Sequence, residues 1–255
     1  MISALINRLS IKQKILVLCI AMMTPAFALL TVFVKTENEK IAVAKLEGDG
    51  ARFLKELFPI YRGVLAHRGA YHGWFLGETS FQSKINASEN ELNQAFESIK
   101  AHVQEHTAVD VESAVKGLDE KWKRLAQDNS RLSKAESFER HSELVEGLVG
   151  LISSVTEKSG LALDPEAHTY YLMDTTTSEM PGLLDHLGRV RALAFESAKT
   201  GQVSEKAKIL IFSSQHNVGD LKTSMHHSFE KVFAADSRLK ADFQGLLQQL
   251  EGDID

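Results

Sequence analysis

One segment of the chain combines basic and aromatic side chains at helical spacing. The run from Leu65 to Trp74 holds His67, Arg68 and Tyr71. His67, Tyr71 and Trp74 fall on an apolar seam whose steps alternate between three and four residues, with Arg68 beside it. An arginine among phenol, indole and imidazole groups can bind a small polar or anionic ligand. The alternative is an aromatic plug at the tip of a helical bundle.

Further candidate ligand-binding residues lie more than a hundred positions later. Tyr170, Tyr171 and Asp174 offer two phenols and a carboxylate within one short stretch. Arg191 falls on an apolar seam, where burial of an unpaired charge is costly. It should therefore face a carboxylate, a bound anion, or water through an open seam.

The expected order of the helices decides which of these groups meet. If the first predicted helix runs up and the following ones alternate, Arg68 lies level with His168 and Tyr170. Arg191 then lies roughly 30 Å lower, at ~1.5 Å per helical residue. The group around Arg68 and Tyr170 is therefore preferred as the site, and Arg191 is ranked below it.

The sequence shows no catalytic constellation. It contains no phosphate-binding G-x-x-x-x-G-K-[ST] loop, no G-x-S-x-G elbow and no H-E-x-x-H pair. Cys19 is the one cysteine, which excludes a disulfide framework and a Cys-based zinc site. His102 and His106 are four residues apart, but two histidines are a weak metal signal. We expect no enzyme activity, no metal and no cofactor.

The charge is unevenly distributed. Residues 1–34 carry three basic side chains and no acidic one, whereas the remainder carries 26 basic and 34 acidic side chains, a net charge of −8. A nucleic-acid-binding protein would have the opposite balance, so nucleic acid is not expected as a partner.

The segment Ile15–Val34 contains twenty uncharged, mostly apolar residues between Lys14 and Lys35. This length matches a bilayer core of ~30 Å. The alternative is a cleaved signal peptide, because Ala26, Phe27 and Ala28 form an A-x-A triplet, but the run exceeds the usual ~7–15 apolar residues. We expect an uncleaved anchor, with residues 1–14 as a cytoplasmic tail and residues 35–255 outside.

The rest of the chain is patterned for long helices. The first predicted helix continues out of the membrane along an apolar seam that includes Phe53, Leu57, Ile60 and Val64, and it ends near Gly77. Capping boxes at Ser88 and Ser133 and an N-cap at Ser204 predict the starts of the second, third and fifth helices. Asp164-Pro165 predicts the start of the fourth helix, which we expect to end at Gly201. The seam of the second slips by one residue between His106 and Val111, which we interpret as a local change of winding.

These patterns predict an all-α fold: a membrane-anchored, four-helix-bundle-like sensor of long helices with up-down topology, as one bundle or two stacked modules. Five helices beyond the membrane would leave the last pointing away from it. The sensor domain, residues 35–255, is therefore expected to be incomplete, and the natural chain to continue into a second span and a cytoplasmic domain. A single-span protein that ends outside is the alternative.

Three segments resemble bacterial methyl-accepting chemotaxis proteins and related receptors. Asn7–Lys14 before the span is similar to the start of such receptors, and His67-Arg68-Gly69 with Gly73, Leu76 and Gly77 is similar to the first-helix signature of nitrate- and nitrite-sensing helical domains. A third set of residues resembles a segment common in extracytoplasmic domains of chemotaxis receptors and sensor kinases: Leu163-Asp164-Pro165, the run from Thr169 to Asp174, Pro181 and the run from Arg189 to Leu193.

The resemblance implies the periplasmic sensing part of a chemotaxis transducer in the bacterial inner membrane. Its implied partners are a small polar or anionic ligand or a periplasmic binding protein, a second copy in a homodimer, and cytoplasmic signalling proteins reached only through a C-terminal region outside this chain. In the nitrate-type domains inward-facing arginines hold the anion, and Arg68 and Arg191 match them in kind. The alternatives are the sensor of a histidine kinase or diguanylate cyclase, and a membrane-tethered scaffold without a small ligand.

Overall fold

The computed structural model describes residues 10–163 and 166–254, which form helices joined by short connections and contain no strand. Two compact units meet at a boundary between Lys45 and Leu46. The α-helices are α1 (Ile11–Phe75), α2 (Gln82–Glu105), α3 (Glu112–Asp128), α4 (Lys134–Lys158), α5 (Ala167–Asp174), α6 (Met180–Thr200), α7 (Glu205–Ala235) and α8 (Ser237–Ile254). The predicted tail, apart from residues 10–14, and the predicted cap at Asp164-Pro165 lie outside the described residues.

In the N-terminal unit, α1 is long and apolar enough to cross a membrane, judged by length and composition. None of the most apolar stretch is buried against protein, unlike the core helix of a soluble domain. The hydroxyls of Thr24 and Thr31 donate to the carbonyls of Ile20 and Phe27, so these polar groups have partners within the helix.

In the C-terminal unit, the predicted seam of the first helix is confirmed over most of its length. Phe53, Leu57, Ile60 and Val64 are buried in the largest apolar core, which α2, α3 and α4 complete. Gly50 allows a close approach in this core, because an added Cβ would lie 2.2 Å from the Ser159 hydroxyl. A second apolar cluster joins α6, α7 and α8.

Several predicted helix ends are confirmed. Ser133 accepts from the backbone of Glu136, whose carboxylate accepts from the backbone of Ser133, which is the predicted capping box. Ser204 caps α7 by accepting from Ala207. Gly201, at a φ of 67°, ends α6 in a left-handed conformation.

Two predicted helix boundaries are wrong. The second helix starts at Gln82, and Ser88 lies inside it, where its hydroxyl donates to the Lys84 and Ile85 carbonyls instead of capping a terminus. The predicted fifth helix is divided at Asp236 into α7 and α8. A capping motif also occurs within helices, because serine can bond to the preceding turn.

The most consequential difference lies at the predicted slip of the seam. The chain leaves the helix after Glu105, and Asp110 adopts a φ of 52°, so residues 106–111 form a reversal between α2 and α3. Trp122 of α3 donates to Asn93 of α2, and Lys100 pairs with Asp119, which makes the two helices antiparallel. The expected count of five helices beyond the membrane is therefore wrong.

This additional reversal changes the direction of every later helix. α6 contacts α1 in parallel order, since Tyr61 donates to the Pro181 carbonyl and Arg68 pairs with Asp185. A π-helical segment, Thr175–Glu179, precedes Pro181, which occupies the first turn of α6. α6 therefore brings Asp185 to the level of Arg68, and Arg191 and Glu196 to the level of the residues that follow Arg68 on α1.

Candidate functional site

The two predicted halves of the site lie apart. Tyr170 and Asp174 line a cavity of about 200 Å³ with Thr156 and Leu161, near the end of α4. The Lys231 ammonium of α7 lies 4.5 Å from the ring centroid of Tyr171. The expected meeting of this group with Arg68 is thus wrong, as is the expected separation of Arg191 from Arg68. The reason is the reversal at residues 106–111, which replaces the predicted continuous helix and changes the direction of the later helices.

His168, the half-buried residue expected beside Tyr170, lies on α5 with it. Tyr71 and Trp74 contribute instead to an aromatic cluster at the end of α1. Tyr71 is buried, and its ring centroid lies 6.0 Å from that of Trp74. Their observed environment matches the aromatic plug that was the alternative interpretation of this segment.

Arg68 is buried and already has a carboxylate partner. Its guanidinium lies 2.7 Å from Asp185 Oδ1, donates to the Ser142 hydroxyl, and lies over the ring of Phe138. Burial lowers the pKa of Arg68, and the Asp185 carboxylate acts in the opposite direction. Gly188 makes room, because an added Cβ would lie 3.2 Å from the guanidinium. Arg68 therefore joins α1, α4 and α6, with its charge neutralised internally.

Next to Arg68, His67 and His141 form a buried hydrogen-bonded pair. His141 Nδ1 lies 2.6 Å from the Ser137 carbonyl, which can only accept, so Nδ1 donates. In neutral His141, Nε2 then accepts from His67 Nδ1 at 2.7 Å. Burial lowers the pKa of His67 to about 3 and that of His141 to about 4. His67 Nε2 faces Glu89 at 3.4 Å, and burial raises the pKa of this carboxyl.

Arg191 lines a larger cavity of about 530 Å³ between α1, α2 and α6. Its guanidinium packs over Gly69, where an added Cβ would lie 3.5 Å away. Arg191 is exposed, and among the described residues no carboxylate forms an ion pair with it. The predicted carboxylate partner of Arg191 is thus not found in the part of the chain that the structure describes, and the side chain is open to water.

The wall of this cavity is apolar and made of small residues with two aromatic rings. Ala66, Gly69 and Ala70 come from α1, and Gly188 and Ala192 from α6. Phe81 and Phe195 complete it, with ring centroids 6.1 Å apart in an edge-to-face arrangement. Small side chains on two neighbouring helices leave the space between them open.

Polar groups reach the cavity from three helices. Lys84 of α2 joins Arg191, with its ammonium 5.0 Å from the Phe81 ring centroid, and Glu91 adds one carboxylate. His72 lines the cavity at 6 % exposure, and neither ring nitrogen makes a hydrogen bond of ordinary geometry. Its Nε2 lies 3.2 Å from Glu196, whereas burial lowers the pKa of the ring. The cavity thus combines two cations, one carboxylate and a histidine with hydrogen-bonding capacity to spare.

Sequence reasoning missed Lys84 and His72 here, and Asp185 and His141 in the buried pairs. Asp185 had a visible signal, since it precedes Arg189 by four residues on a helix and bonds to it. Lys84 carried no such signal, because it lies before the predicted start of its helix.

Comparisons of the chain with protein-family models, with curated proteins and with solved structures find no match. The resemblance to chemotaxis receptors therefore stays a prediction.

Proposed function

We propose that this chain is the ligand-sensing part of a membrane-anchored receptor of the chemotaxis-transducer type. In this proposal α1 crosses the bacterial inner membrane with its N-terminus in the cytoplasm. The rest is a periplasmic, four-helix-bundle-like sensor with up-down topology. It acts as a homodimer on a small ligand or on a ligand-loaded binding protein.

One observation carries this proposal: the cavity between α1, α2 and α6. Its volume of about 530 Å³ falls within the ~300–1,000 Å³ range of small-molecule sites. Among the described residues, Arg191 and Lys84 supply charge without a carboxylate partner, and His72 supplies a buried ring that faces Glu196 but makes no hydrogen bond of ordinary geometry. A gap left by imperfect packing would not require charged or hydrogen-bonding groups in its wall.

The position of the cavity gives the proposed sensing a physical basis. A ligand shifts a conformational equilibrium only by binding one packing better than another. A ligand held by Arg191 of α6 and Lys84 of α2 contacts the α1 surface at Gly69. It would favour one spacing of these helices, and α1 continues from there to Ile11. A small shift of α1 is the proposed output.

The test measures thermal unfolding of the full chain in detergent, with Trp122 and Trp74 fluorescence as the signal. Sodium nitrate, sodium succinate and sodium benzoate are each titrated into the wild type and Arg191→Gln. A ligand at 100 times its Kd stabilises by ~2.7 kcal/mol. At least one anion should raise the wild-type Tm, and the variant should lose that response.

A wild-type Tm unchanged by all three anions would contradict a small-anion sensor. It would favour the tethered scaffold, which the internal neutralisation of Arg68 by Asp185 also favours. The chemotaxis output is tested separately in cells. A strain that lacks the protein should lose taxis toward the stabilising anion. Retained taxis with altered kinase or cyclic-diguanylate signalling would assign the other receptor types.

A further inference from the structure

We infer that the cavity between α1, α2 and α6 binds a monocarboxylate attached to a flat apolar ring, of which benzoate is the simplest example. This inference rests on the proposed ligand-sensing function and specifies the chemical class of the ligand. It follows from the shape of the wall, the arrangement of charge and the prior neutralisation of Arg68.

The wall favours a flat apolar body. Ala66, Ala70 and Ala192 present methyl groups, and Gly69 and Gly188 present backbone, so the faces of α1 and α6 at the cavity carry no large side chain at these positions. Phe81 and Phe195 stand edge-to-face at the cavity, an arrangement that can accept a further ring. A nitrate ion is too small to contact these surfaces together and gains nothing from their apolar character.

The charges favour a single carboxylate. Arg191 can bind a carboxylate through two parallel hydrogen bonds, and Lys84 adds a second cation. Glu91 opposes a second negative charge on the ligand. Burial lowers the pKa of His72, so this ring is a neutral hydrogen-bonding group and not a third cation. Net attraction therefore suits a monoanion better than a dianion.

Arg68 does not alter the conclusion that the ligand is a monoanion. Arg68 lies behind the cavity wall, and Asp185 is 2.7 Å from its guanidinium. An anion bound there would have to displace the Asp185 carboxylate. Arg191 therefore supplies the principal anion contact.

The test uses the full chain in lipid nanodiscs and ¹⁹F NMR titrations with 4-fluorobenzoate. Sodium nitrate and phthalate serve as competitors, and 4-fluorobenzamide is the neutral analogue. Fluorobenzoate should bind, the amide should bind at least tenfold more weakly, and nitrate should not displace it. Arg191→Gln should weaken binding roughly ten- to hundredfold, as expected for a lost charge-assisted contact.

Two variants separate the cavity from general charge effects. Ala87→Phe fills the space from an exposed position of α2 and should abolish fluorobenzoate binding without unfolding the protein. Arg62→Gln removes an exposed arginine of α1 that does not line the cavity and should leave the affinity unchanged.

Displacement of fluorobenzoate by nitrate, or equal affinity for acid and amide, would overturn the inferred ligand class and leave the sensing function standing. Binding that persists in Arg191→Gln and Ala87→Phe would overturn the location. If fluorobenzoate does not bind but nitrate or succinate stabilises the chain through Arg191, the class is wrong and the proposed function holds. If no anion stabilises it, both fail.

Discussion

Replacing Asp185 by asparagine leaves Arg68 buried without its carboxylate. The wild-type oxygen lies 2.7 Å from the guanidinium, and the side-chain exposures are 2 % for Arg68 and 15 % for Asp185. Removing one partner of a buried ion pair costs about 3–5 kcal/mol. We expect the lower end, about 3 kcal/mol, because Asp185 retains some contact with water.

A loss of this size corresponds to a fall in Tm of roughly 6–12 °C for a protein of this length. The assay is thermal unfolding of the full chain in detergent, followed by tryptophan fluorescence. Trp122 is fully buried in the core of the C-terminal unit and reports its unfolding.

A double variant distinguishes an unpaired charge from lost packing. Arg68→Met with Asp185→Leu removes the buried pair and should recover part of the lost stability, since Arg189 still loses its bond to Asp185. Glu205→Gln is the matched control, because its ion pair with Lys208 lies at the surface and should contribute little. A fall of less than 2 °C in Asp185→Asn, or a double variant no more stable than the single one, would refute the reasoning.

Three further predictions concern packing, pH and topology. Gly50→Ala should destabilise the protein by about 1–3 kcal/mol, because the added Cβ would overlap Ser159. Gly48→Ala should stabilise it by about 0.5–1 kcal/mol, because no atom lies within 4 Å of the added Cβ. Thermal unfolding measures both. The folded pKa of His67, about 3, lies below the unfolded ~6.5, so the unfolded chain binds protons first as pH falls. The free energy of unfolding should therefore fall as the pH is lowered from ~6.5 to ~4, by up to ~1.4 kcal/mol per pH unit for each such histidine. In His67→Gln the free energy of unfolding should depend less on pH over that range. Alkaline phosphatase fused after Ala44 should be active outside the cytoplasm, as measured in whole cells.

Each of these predictions has an outcome that contradicts it. Equal effects of the two glycine substitutions would show that the approach to Ser159 is not limiting. A wild-type profile flat between pH 6.5 and 4 would contradict the neutral, buried state of His67. For topology, an inactive phosphatase fusion beside a fluorescent cytoplasmic reporter at Ala44 would reverse the orientation, and a soluble form beginning at Leu29 would show cleavage.

The sequence was sufficient for the helical class and for the buried face of α1. Phe53, Leu57 and Val64 recur at helical spacing, and such periodicity requires no knowledge of the partner helices. The capping box at Ser133 was equally predictable, because both of its hydrogen bonds are local.

The candidate site was not predictable in the same way. A slip of one residue in a seam is compatible with a continuous helix or with a short reversal, and the left-handed conformation at Asp110 decides between them. Because of this turn, all later helices run opposite to the predicted direction. Arg191, and not Tyr170, therefore lies beside Gly69. Tertiary pairing across more than a hundred residues depends on such turns.

Hydrogen exchange of the full chain in nanodiscs, with and without sodium benzoate, tests the central claim most directly. Peptides that cover residues 66–73 of α1 and 188–195 of α6 should exchange more slowly with benzoate, because these segments form the cavity. Peptides around Thr156 and Tyr170, at the second cavity, should be unchanged. Protection confined to the second cavity, or no protection at either, would contradict a benzoate site at Arg191.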